Sequence, residues 1–186
     1  MGRDVKEAFL KQRSKVIWLT GLSGAGKTTL AKHLEKELFS RGFLVQLLDG
    51  DNVRTGINSN LGFSDNDRYE NIRRISEVSK LFVNCGVITI NCFISPTEKI
   101  REMARMIIGS DDFIEVYVNA PLNVCEERDV KGLYSRARRG EIKDFTGIGS
   151  PFETPHNFDI EIRTDLLSIE ESVKQLLELV LPGIML

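Results

Sequence analysis

Gly21-Leu22-Ser23-Gly24-Ala25-Gly26-Lys27-Thr28 carries the densest chemistry in this chain. The stretch fits G-x-x-x-x-G-K-[ST]. In that pattern glycines let the backbone curl until several N–H groups face one anion, and the helix that follows adds its positive end. Lys27 then brings a cation to β- and γ-phosphates, and the Thr28 hydroxyl is a ligand for Mg²⁺. The alternative is a chance glycine-rich turn, and the flanks argue against it, because the motif needs a strand before it and a helix after it.

A second cluster, Asp49-Gly50-Asp51-Asn52-Val53-Arg54, follows an apolar run. If the chain stays extended there, period-two alternation puts Asp49 and Asp51 on one side, with Gly50 permitting close approach. One carboxylate would order Mg²⁺ and the other accept a proton from a hydroxyl acceptor. Asp49 suits the metal side and Asp51 the base or acceptor-orienting side, an order that one sequence leaves open. The structural alternative is an Asp-Gly-Asp turn that only caps the next segment.

The elements that must position these groups follow from periodicity. Lys15–Thr20 reads as a strand, Leu30, Leu34 and Leu38 mark a helix, and Phe43–Leu48 is a second strand. A helix over Asp65–Asn84, a strand over Val87–Cys92, a helix over Pro96–Ile108 and a strand over Phe113–Val118 continue the alternation. A short helix over Leu122–Asp129, a strand over Phe158–Arg163 and a helix over Ser168–Leu181 complete it, the last opened by the capping box Ser168-x-x-Glu171. Such alternation predicts an α/β fold of the P-loop NTPase kind, with a five-stranded parallel sheet covered on both faces. Parallel sheets bind ligands at the carboxyl ends of their strands, which is where both clusters fall.

On the helix from Asp65, residues Ile72, Ile75, Val78 and Phe82 form an inward stripe, and Arg68 and Asn71 extend it at its N-terminal end. Polar groups on an inward face suggest a ligand; the alternative is a surface pairing of Arg68 with Asp65 or Glu70. Ser95-Pro96-Thr97-Glu98 reads as a capping box with Ser95 as cap and Pro96 as first helical residue. The stretch 130–154 is rich in Gly, Arg and Lys and long for a connection, which marks a functional lid or disorder.

Composition bounds the rest. With 186 residues, 41% hydrophobic and 28% charged, the chain fits a single domain over residues 1–186. A formal net charge of -2 argues against a dedicated nucleic-acid binder. Cys85, Cys92 and Cys125, with two histidines, match no zinc spacing, and the odd count suits a reducing, cytoplasmic setting. Arg3, Asp4, Lys6 and Glu7 suggest a short N-terminal helix rather than a signal peptide, Lys6 stands where a myristoylation motif needs Ser or Thr, and no apolar run implies a membrane partner.

GLSGAGKTT, DGDNVR, GFSDNDRYENIRR, CFISP, APLNVCEERDVKGLY and EIKDFTGI occur here in one order, and together they closely resemble the adenylylsulfate kinase (APS kinase) family from about Val16 to Val173. The resemblance implies transfer of the γ-phosphate of MgATP to the ribose 3′-hydroxyl of adenosine 5′-phosphosulfate in sulfate assimilation. It implies nucleotide contacts at Gly21, Ser23, Gly24, Ala25, Gly26, Lys27, Thr28, Thr29 and Arg128, with Arg128 near the ATP base. Contacts to the phosphosulfate nucleotide would come from Asp51, Asn52, Arg54, Phe63, Arg68, Asn71, Ile94, Ser95, Lys131 and Phe145, with Phe63 and Phe145 clasping its adenine. Lys27, Asp49, Asp51 and Ser95 would be the catalytic set, Thr28 and Asp49 the metal side. The basic stretch 130–154 would close over both nucleotides, and a homodimer is implied. The family has been discussed as passing through a phosphoserine at the Ser95 position; a cap and ligand contact is the plainer expectation, since direct in-line transfer needs no protein nucleophile.

Competing readings are a P-loop kinase of another small hydroxyl acceptor, such as a nucleoside or sugar acid, a GTPase-type switch, and an inactive ligand-binding relative. Asp129–Gly132 and Asp144–Gly147 match D-x-x-G, but no N-K-x-D motif accompanies them.

Overall fold

The computed structural model describes residues 1–186 apart from Asp51. Five parallel strands, β1 (Val16–Thr20), β2 (Val45–Asp49), β3 (Ile88–Cys92), β4 (Phe113–Asn119) and β5 (Ile160–Arg163), form one sheet in the order β2-β3-β1-β4-β5. The chain runs from β1 to the outer strand β2, returns through β3, and crosses to the other side of β1 for β4 and β5. Strand order therefore reverses at β1, and the crevice at its carboxyl end is where an open α/β sheet binds ligands.

All five β1 residues are buried, as expected of a central parallel strand covered on both faces. Alternation divides them. Ile17 and Leu19 join a core with Leu30, Leu34 and Leu38 of α2 (Lys27–Ser40) and Leu176 and Val180 of α8 (Ile169–Ile184). Val16 and Trp18 face the opposite core, with Ile72 and Ile75 of α4 (Asp65–Asn84) and Met103 of α5 (Glu98–Ile108). The capping box at α8 forms as expected: the Ser168 hydroxyl accepts from the Glu171 N–H at 3.1 Å, and the Glu171 carboxylate accepts from the Ser168 N–H at 2.8 Å.

Three local expectations change. The chain does not stay extended after Asp49, because α3 (Gly50–Arg54) begins at once. The stretch 130–154 contains a further helix, α7 (Leu133–Arg138), after α6 (Leu122–Arg128). Ser95 does not cap α5. Thr97 does, its hydroxyl accepting from the Ile100 N–H at 3.4 Å, so Pro96 lies before the helix. The short N-terminal helix is α1 (Arg3–Leu10). Among the described residues no helix is long and apolar enough to cross a membrane.

Candidate functional site

Gly21–Thr28 links β1 to α2 as the motif requires, and two glycines show why other residues fail there. Gly21 has φ +148°, and a Cβ on it would lie 2.2 Å from the Val118 carbonyl of β4. Gly24, at φ +76°, would bring a Cβ to 2.7 Å from the Cys125 carbonyl. Both positions combine a backbone angle that side chains disfavour with a neighbour that is itself backbone.

Lys27 is buried, and its ammonium donates to the carbonyls of Gly21 at 2.9 Å and Leu22 at 2.8 Å, inside the curl of its own loop. Burial lowers its pKa to about 8, opposed by Cys92, Cys125 and Asp49 and reinforced by the nearby cation of Lys131. Burial also raises both thiols, so neither supplies a counter-charge near neutral pH. A phosphate group would add negative charge to that of Asp49 and offset the burial.

The Thr28 hydroxyl donates to the Asp49 carboxylate at 2.7 Å, joining the start of α2 to the end of β2. A hydroxyl and a carboxylate in contact, beside a cationic anion cradle, are the hard oxygen donors that suit Mg²⁺ shared with phosphate oxygens. Asp51 lies outside the described residues. Asn52, expected to meet the acceptor, is engaged with the strand end: its amide oxygen accepts from the Asp49 N–H at 3.0 Å, and its amide nitrogen donates to the Leu47 carbonyl at 3.3 Å.

Around the loop before α4 the cationic residues gather. Arg54 donates to the carbonyls of Leu61 and Gly62, and its guanidinium stands 4.5 Å over the Phe63 ring. Burial and the charge of Arg68 lower its pKa, so two guanidiniums repel each other here and an anion would relieve them. Arg68 pairs with neither Asp65 nor Glu70. It donates to the carbonyls of Phe63 and Asp144 and to the Thr146 hydroxyl, tying the loop before α4 to the stretch after α7. Asn71 is buried as its stripe position implied, and its side-chain oxygen accepts from Asn58 at 3.0 Å.

The two rings expected to clasp a base differ sharply. Phe63 is 64% exposed; Phe145 is 8% exposed and meets Tyr134 edge-on, with centroids 5.0 Å apart. Ser95 is buried in a left-handed backbone conformation, φ +47°. Its hydroxyl accepts from the Trp18 indole N–H at 3.0 Å, and its carbonyl accepts from the buried guanidinium of Arg101 at 2.9 Å. Ile94 lies half-buried beside the phosphate loop, its carbonyl accepting from the Thr20 hydroxyl at 2.7 Å and the Gly21 N–H at 3.4 Å. Arg128 fastens the Gly24 carbonyl to Thr164, and Thr29 is exposed on α2. A cleft of about 520 Å³, lined by Leu22, Tyr117, Asn119, Leu122, Ile148 and Phe152 among others, adjoins the phosphate loop.

Sequence reasoning missed Tyr134, Thr164, Trp18, Arg101 and Asn58, each of which supports a site residue from elsewhere in the chain. A lone Trp in an apolar strand, or a lone Tyr in a short basic helix, carries no local mark of a polar partner. Arg101 was the one with a legible signal, since it falls on the inward stripe of α5 with Ala104 and Ile108 and a buried cation must be paired.

Comparison with known proteins agrees with this geometry. The adenylylsulphate kinase family model matches residues 13–163. An adenylyl-sulfate kinase of Bacteroides fragilis is 62% identical over 182 residues, covering 98% of this chain and 90% of its own length. The structure of Mycobacterium tuberculosis APS kinase in complex with AMPPNP and APS superposes with a TM-score of 0.87 at 45% identity, over 90% of this chain and 98% of that one. A hexameric APS kinase from Thiobacillus denitrificans gives a TM-score of 0.70 at 31% identity, over 92% of this chain and 29% of that one. On the match of the family model and the identity over nearly its whole length, this chain belongs to the adenylylsulphate kinase family.

Proposed function

We propose that this protein transfers the γ-phosphate of MgATP to the 3′-hydroxyl of adenosine 5′-phosphosulfate, giving 3′-phosphoadenosine 5′-phosphosulfate and ADP. The observation that carries this reading is the likeness, over 90% of the chain, to an APS kinase structure that holds an ATP analogue together with APS.

The residues fit the work. Gly21–Thr28 holds the β- and γ-phosphates with backbone N–H groups and Lys27, whose buried ammonium the phosphates stabilise in the complex. Thr28 and Asp49 hold Mg²⁺, which when bound neutralises charge on the phosphate oxygens. Arg54, Arg68 and Lys131 receive the phosphosulfate, and Phe63 and Phe145 flank the adenine. Asp51, two positions beyond Asp49, takes the proton of the acceptor hydroxyl. Ser95 acts as a wall and ligand contact: among the described residues its hydroxyl accepts from the Trp18 indole N–H, which is no base, and its carbonyl accepts from Arg101 and Thr20. Direct in-line transfer, which needs no protein nucleophile, fits this role. Residues 130–154 serve as a lid that excludes water from the transferred group within a single domain of 1–186.

A cytoplasmic homodimer completes the proposal; free thiols at Cys85, Cys92 and Cys125 support a reducing compartment, and the self-assembling Thiobacillus relative supports association. The test is ADP release with MgATP and adenosine 5′-phosphosulfate beside adenosine, AMP, shikimate and gluconate. Turnover confined to the phosphosulfate is expected, and equal turnover of another hydroxyl compound would overturn the reading.

A further inference from the structure

One buried hydroxyl joins the phosphate loop to the far side of the acceptor site. Tyr134, the second residue of α7, donates from its phenol to the Ser23 carbonyl at 2.9 Å. Its ring edge meets Phe145 at 5.0 Å and 83°. The start of α7 is pinned, because the two Asp129 carboxylate oxygens accept from the backbone N–H groups of Tyr134 and Ser135 at 3.0 Å each. On either side of Phe145, Arg68 holds the Asp144 carbonyl and the Thr146 hydroxyl. A second contact runs alongside: a Cβ on Gly147 would lie 3.1 Å from Leu22 of the phosphate loop.

The Ser23 carbonyl and the Gly24 N–H belong to the same rigid peptide plane and point in opposite directions. A phosphate that draws the Gly24 N–H toward itself therefore rotates the carbonyl that Tyr134 grips. Burial raises the phenol's pKa, so it remains a donor across the neutral range.

We propose that Tyr134 is a positioning residue that couples the two nucleotide sites, transmitting the state of the Ser23–Gly24 peptide to the Phe145 wall against which the acceptor base rests. This rests on the reading of Phe145 as part of the acceptor site. Filling the phosphate loop then sets the acceptor wall before the second nucleotide arrives, and by linkage the acceptor reports back on the loop with an equal factor.

The experiment is equilibrium binding of adenosine 5′-phosphosulfate to the full chain with and without Mg²⁺ and a non-hydrolysable ATP analogue, for wild type, Tyr134→Phe and Asp129→Asn. Wild type is expected to show a coupling factor in the range of about 5- to 150-fold that is usual for linked sites. Tyr134→Phe keeps the ring and loses the bridge, so its factor falls toward one while each ligand alone binds nearly as in wild type. Asp129→Asn, which loosens α7 and keeps the phenol, shows a partial loss and serves in place of Tyr134→Phe should that variant not fold. In turnover, the KM for the acceptor rises in Tyr134→Phe and kcat changes little. An undiminished coupling factor in Tyr134→Phe, or no coupling in wild type, overturns the inference and leaves the acceptor site standing. Failure of wild type to bind the phosphosulfate under either condition strikes the acceptor reading itself, and the inference with it.

Discussion

The two halves of the site are built in opposite ways. The phosphate half is backbone, set at the end of a fully buried strand, with glycines where a Cβ would strike neighbouring carbonyls. The proposed acceptor half is made of side chains from helix ends and loops, with Phe63 mostly exposed, Arg54 held to the carbonyls of Leu61 and Gly62, and Arg68 spanning carbonyls of two separate segments. Phosphate is the same in every nucleotide and suits a rigid cradle. A particular acceptor must be read by groups that can close around it, and those come from less constrained parts of the chain.

If that contrast is right, the largest loss comes from the rigid half. Lys27→Met should lower kcat about 10²- to 10³-fold, the cost of removing one transition-state charge contact. Its melting temperature should hold or rise, because a buried ammonium disfavoured by its surroundings is gone; a sharp drop in thermal unfolding would mean the lysine is structural.

Next in size, Arg68→Ala should raise the KM for the acceptor about 10- to 100-fold, in line with charge-assisted hydrogen bonds of 1.5–3 kcal/mol. The KM for ATP should stay put. Steady-state kinetics with each substrate varied in turn would blur the contrast if both constants moved together.

A pH effect of about tenfold follows from Lys27. The free site loses its proton as pH rises through about 8, whereas the complex, with phosphate against the ammonium, retains it. Binding of the ATP analogue should therefore weaken about tenfold between about pH 7 and pH 9. Folding stability of the ligand-free protein takes the opposite sign. The unfolded chain binds more protons between about 8 and the ordinary lysine value near 10.4, so the Lys27 contribution rises with pH there. Calorimetric titrations at several pH values check the first, and denaturant unfolding the second.

The smallest effect belongs to the exposed ring. Phe63→Ala should weaken acceptor binding about 3- to 10-fold, consistent with aromatic contacts of 0.5–1.5 kcal/mol, and Phe63→Tyr should restore it.

The same contrast explains what could be read in advance. Residues 21–28 are contiguous, so motif, strand and helix flanks all declare themselves within a short window. The Asp65–Asn84 helix is bounded as its pattern implies, with Ser64 as cap. Where two local signals compete, tertiary contacts decide: Ser95 and Thr97 are both acceptable caps, and the Trp18 indole claims Ser95 from across the sheet. The turn into α3 at Gly50 defeated an argument that assumed extended chain. Tyr134 and Ser23 lie 111 residues apart and Arg68 and Thr146 lie 78 apart, distances at which no spacing rule operates.

Where the phosphate lands tests the central claim most directly. Phosphorus NMR of the product formed from MgATP and adenosine 5′-phosphosulfate should show a new phosphomonoester on the ribose 3′ position with the phosphosulfate intact, formed in step with ADP. Release of inorganic phosphate in place of that ester, or an ester at another position, would contradict the account.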